Sequence, residues 1–118
     1  MSAPDTCLAQ RNEAARLIEA CVAIAERTIA AADPIEAMKR GLPRTSSATE
    51  QRYAAALLLH LRGQLAGLPK ADRCEYADAH PHTEATYVIY CRQRVAAALT
   101  LARTTAEALR ITEDTDAS

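Results

Sequence analysis

Alanine occupies 27 of the 118 positions, and the chain has no Phe, no Trp and only four Tyr. Ala is the best helix former and lets helix axes approach closely, whereas sheets draw on β-branched and aromatic side chains that are scarce here. Leu, Ile and Val together fill 21 positions, so a core must be assembled largely from small side chains. The balance argues against an all-β or parallel α/β domain and for an all-α one. A net charge of −1 lacks the self-repulsion of a disordered chain. The length predicts one domain, residues 1–118, with one modest core.

Apolar residues recur at helical spacing in three long segments. The first runs from about Cys7 to Ala32 without Gly or Pro, with Cys7, Ala14, Leu17, Ile18, Cys21, Val22, Ile24, Ala25 and Ile29 on one stripe. Glu13 and Arg16 lie on its outer face at a spacing that allows pairing. Asp33-Pro34-Ile35-Glu36 reads as the start of a short helix that Gly41 ends. Ser47 with Glu50 makes a second capping box, opening a helix with Tyr53, Ala54, Leu57, Leu58, Leu61, Leu65 and Leu68 inward, ended by Gly67-Leu68-Pro69. The connector to Thr83 has room for one or two helical turns before His80-Pro81-His82. The last helix should begin after a Thr83 cap and continue to about Ile111, with Val88, Cys91, Val95, Ala98, Leu99, Ala102, Ala106 and Leu109 inward. A frayed acidic tail follows from about residue 112. The expected architecture is a small antiparallel helical bundle of three long helices plus one or two short ones.

No basic-then-apolar leader opens the sequence, and the longest apolar stretch, Tyr53–Leu61, is far shorter than the ~20 residues a spanning helix requires. A cytoplasmic protein without membrane contact is expected. There its four cysteines would remain thiols, and small buried side chains are their simplest role.

Signatures of catalysis are missing: no Gly-rich phosphate loop, no H-E-x-x-H and no G-x-S-x-G. The chain reads as a non-enzyme. His60 precedes Arg62 and Gly63 by two and three residues. The cation and glycine of phosphotransfer helices stand one residue further on, and that shift turns the cation about 100° round the helix.

Ala56, His60, Gly63 and Gly67 share one helix face. An interior Gly costs about 1 kcal/mol relative to Ala, so Gly63 asks for a close approach, from a helix of the same chain or from a partner. Charge is also segregated, with residues 39–73 carrying +5 and the flanking segments −3 each. The leading expectation is an interaction protein that inhibits, occludes or assembles by binding a protein partner or itself. Its surface would be Arg44, Arg52, Ala56, His60, Arg62 and Gly63, with charge setting orientation and on-rate. A phosphate-backbone-binding subunit of a nucleoprotein complex is the alternative, weakened by the lack of Phe and Trp for stacking. No cofactor is expected. A zinc module is a further alternative on Cys74, His80, His82 and Cys91, although C-x₅-H-x-H-x₈-C departs from the close ligand pairs of structural zinc sites.

Overall fold

In a computed structural model the chain is all-α; it describes residues 6–30, 35, 38–39 and 48–109. Four helices are bounded among them: α1 (Cys7–Ala30), α2 (Ala48–Ala66), α3 (Ala71–Ala79) and α4 (Thr86–Ala108). Ile35, Met38 and Lys39 are helical. The rest of the short helix expected after Asp33, the Ser47 cap, Arg44 and the acidic tail lie outside the described residues.

α1 is the central helix, with α2 and α4 both packed along it and α3 across its amino-terminal end. α2 runs antiparallel to α1, because Thr49 and Tyr53 flank Ile24 and Thr28 while Pro69 accepts the Arg11 Nε–H at 3.0 Å. α4 runs in the same direction as α1: Cys91 lies beside Cys7, and Leu109 beside Ile24 and Ala25. α2 and α4 meet each other far less than either meets α1. The three long helices therefore run up, down and up, with α1 between α2 and α4 and the short α3 across one end.

The core has two parts. Ala14, Leu17, Ile18 and Cys21 of α1 pack with Leu61, Leu68, Leu99, Ala102 and Ala106. Nearer the amino-terminal end, Cys7 joins Cys74 and Ala77 of α3 and Val88, Cys91 and Val95 of α4. Six of the eight residues expected inward on α4 are buried, with Ala98 and Leu109 half-buried. On α1 the central members are buried, while Val22, Ile24 and Ile29 are half-buried. Tyr53, expected inward, is 63% exposed. At this end of α2, Ala54 and Leu57 take the positions beside Ile24, Ala25 and Leu109.

The start of α1 is the most completely satisfied helix end. Its first N–H groups have no intrahelical acceptor. Asp78 supplies Oδ1 to Cys7 N–H at 2.7 Å and Oδ2 to Leu8 N–H at 3.0 Å, and Thr6 Oγ1 accepts from Ala9 N–H at 3.0 Å. A carboxylate here also complements the helix dipole. By contrast, α4 does not begin on a Thr83 cap: the Thr83 hydroxyl accepts the N–H of Ala85, and the helix starts at Thr86 with Ala85 as an N-cap lacking a side-chain bond. That local turn uses the hydroxyl before the helix opens. The connector holds nine helical residues, more than the one or two turns expected, initiated by extended Lys70 after Pro69.

Replacing Asp78 with Ala should lower unfolding free energy by about 2 kcal/mol, the scale of a lost charged cap, and Asp78→Asn by less. Urea denaturation followed by circular dichroism measures both.

Candidate functional site

Three side chains far apart in sequence meet where α1, α3 and α4 converge. The Sγ atoms of Cys7, Cys74 and Cys91 all lie within 4.8 Å of one another. Each helix delivers its cysteine from the buried stripe: Cys7 opens α1, Cys74 stands one turn before Ala77, and Cys91 lies between Val88 and Val95 at helical spacing. All three are buried and none is in a disulfide. Cys21, two turns further along the same α1 stripe than Ala14, belongs to the other half of the core.

The surroundings are apolar, formed by Ala77, Val88 and Val95 with Leu8 and Ala85 against them. Burial is the main cause that pushes the Cys74 thiol well above its ordinary range, reinforced by hydrogen bonding and charge interaction with Cys7 and Cys91. Cys7 is also raised, first by burial, while its bond with Cys74 opposes the change and Asp78 and Cys91 add to it. Low dielectric disfavours the thiolate in both cases. These are quiet, protonated thiols at neutral pH, unlike the exposed, electropositive thiols of nucleophilic catalysis.

Polar groups rim the cage and hold its walls. Arg92 Nη2 donates to the carbonyls of Ala77 at 2.7 Å and His80 at 2.8 Å, fixing the end of α3 against α4. Tyr76 stacks on His80 with ring centroids 4.1 Å apart and lies 6.1 Å from the ring of Tyr87. A groove of about 500 Å³ lined by Asp72, Arg73, Tyr76, Tyr87 and Val88 reaches Cys91.

The cluster differs from the ligand set the sequence suggested. Cys74 and Cys91 are brought together, but His80 and His82 are exposed on the outer turn and do not join them. The His80 ring is occupied against Tyr76, with Nδ1 2.9 Å from the Tyr76 carbonyl. The third member is Cys7, which lies 67 residues before Cys74. Local spacing rules look for close pairs and could not find it. The available signal was positional: each of the three cysteines sits at or near the first buried position of its helix.

The expected interaction surface lies on α2, the helix that contributes no cysteine to the cluster. Arg52, Ala56, His60, Arg62 and Gly63 of α2 are exposed, and Arg62 reaches Glu26 of α1 at 3.5 Å. A Cβ on Gly63 would meet nothing within 4 Å. The described residues therefore provide no helix crossing there. Gly67 differs: an added Cβ would stand 2.7 Å from the Arg94 guanidinium, whose Nε donates to the Gly67 carbonyl. His60 is hydrogen-bonded to Gln64 at 3.0 Å and lies outside the core. No helix among the described residues is long and apolar enough to cross a membrane.

No known protein family, curated protein or solved structure matches the chain.

The raised thiols have a consequence for stability. Below the ordinary thiol range of about 8.5, folded and unfolded chains both hold these protons. Above it, the unfolded chain loses them first, so stability falls as pH rises toward the folded-state values. Denaturation midpoints from pH 7 to 10 should decline, and Cys74→Ala should make that decline shallower than in the parent chain.

Proposed function

We propose that the protein binds a thiophilic metal or metalloid ion through Cys7, Cys74 and Cys91. The observation that carries this reading is the convergence of three sulfurs, one from each of three helices, within 4.8 Å. An ion bonded to sulfur at about 2.3 Å needs a sulfur triangle with edges of roughly 4 Å, so modest side-chain rotation closes the cage. Sulfur donors select soft ions over the hard cations that take oxygen ligands. Held by α1, α3 and α4 together, the ion would tie the amino-terminal ends of two long helices to the short one. Binding energy at such a site is also folding energy.

Cadmium is a direct probe, because its thiolate complexes absorb in the ultraviolet. Reduced protein should take one Cd(II) per chain with a sulfur-to-metal absorption band. Cys7→Ala, Cys74→Ala and Cys91→Ala should each remove it, whereas Cys21→Ala, His80→Ala and His82→Ala should not. Binding that survives loss of Cys7, or that needs either histidine, contradicts the reading.

A second function, self-association through the outer face of α2, is favoured by Gly63 facing open space one turn from exposed Leu59. An exposed apolar side chain beside an unfilled glycine suits a second helix backbone, and Arg52 and Arg62 at its margins would set the angle of approach. On this reading the chain is a small non-catalytic assembly protein whose partner is another copy. Sedimentation at graded concentration should show a dimer that Gly63→Leu abolishes. The same substitution should leave the isolated fold intact, because leucine has the better helix propensity by nearly 1 kcal/mol. A monomer at every concentration rejects this function.

A further inference from the structure

Resting on the three-thiol reading above, we infer that the ion the cage is built for is a trivalent metalloid of the arsenous acid type, bound as a neutral tris-thiolate. The first reason is the number of donors. Among the described residues, no other His, Cys, Asp or Glu joins Cys7, Cys74 and Cys91. Asp78, whose charge acts on Cys7, has both oxygens committed to the backbone N–H groups of Cys7 and Leu8. Zinc and cadmium favour four donors. A trivalent metalloid bonds to three sulfurs and carries a lone pair in the remaining direction, so three donors complete its shell.

The second reason is charge. The walls packed against the sulfurs are apolar, Ala77, Val88 and Val95 with Leu8 and Ala85. Charged side chains stand at the rim, where Asp78 is bonded to the α1 terminus, Arg92 to the carbonyls that end α3, and Arg73 lines the grooves that reach Cys91. A net charge left inside apolar walls is expensive to bury. Three thiolates around a monovalent cation carry two net negative charges, and around a divalent cation one. Those ions reach neutrality only by leaving one or two sulfurs protonated, which wastes the donors the fold has gathered. Three thiolates around a trivalent centre carry none.

The reaction balances without any further reactant. Arsenous acid, As(OH)₃, is uncharged in neutral solution, and the exchange is written with the three cysteines as thiols. Each thiol hydrogen leaves with one hydroxyl as water while an As–S bond replaces an As–O bond. Three waters are released, no electron is transferred, and arsenic stays trivalent. A small neutral molecule also suits the route to Cys91, the groove between Tyr76 and Tyr87.

The test is competition on the reduced, full-length chain. Protein carrying one Cd(II) is titrated with sodium arsenite, and the reverse exchange is run from the arsenic-loaded form, with metal content read by native mass spectrometry. Arsenous acid should displace cadmium, with an affinity at least about tenfold higher, equivalent to about 1.4 kcal/mol. The arsenic adduct should hold all three cysteines against alkylation and leave Cys21 reactive once the chain is denatured. Cys74→Ala should lose the three-coordinate adduct. Should that variant fail to fold, the alkylation pattern of the parent chain still decides the point. Cadmium that binds through the three cysteines and resists arsenite overturns the metalloid assignment while leaving the thiol site standing. Failure of both ions to bind overturns the two together.

Discussion

Every long helix that starts inside a protein must find acceptors for its first N–H groups, and α1 finds two of them on a single side chain. Both oxygens of Asp78 are used, at 2.7 and 3.0 Å, to hold the α1 terminus on the last turn of α3. That contact spans 71 residues of sequence and fixes the position of Cys7. With Cys7 placed there, Cys74 and Cys91 follow from ordinary helical packing of α3 and α4. The sulfur cluster is thus a by-product of how one helix end is satisfied, and the chemistry available at the site depends on that clasp.

The same clasp explains why the two halves of the core differ. Along most of α1 the side chains are Leu, Ile and Ala, and they pack as the small residues of an Ala-rich chain must, closely and without aromatic filling. At the clasped end three cysteines take the place that larger apolar side chains would occupy. A thiol packs like a small apolar group. It also keeps a capacity for covalent bonding that Ala or Val lacks, and on the proposed reading three of them within one cage would hold an ion that prefers sulfur. Arg92, bound to the carbonyls at the end of α3, holds the opposite wall in register.

Helix identity was legible from periodicity because α1 and α4 keep strict three- and four-residue spacing of apolar positions, and Val88, Cys91, Val95, Leu99, Ala102 and Ala106 are buried as that spacing requires. α2 was less legible. Its Ala and Leu residues surround much of the helix, so the pattern did not reveal that Tyr53 would lie outside. Which helix is central was not written in local signals either, since Ala stripes do not say that α1 lies between α2 and α4. For the site, Cys74 and Cys91 were found and Cys7 was not, because its proximity is created by a tertiary contact to Asp78. His80 and His82 drew attention through residue type alone. Their turn is held by the Tyr76 stack and by backbone bonds that face away from the cluster.

The account stands on three sulfurs acting as one ligand set, and X-ray absorption at the arsenic edge of the arsenite-loaded protein counts them directly. A first shell of three sulfurs and no oxygen is the predicted result. A shell that retains oxygen, or that holds only two sulfurs, would contradict it.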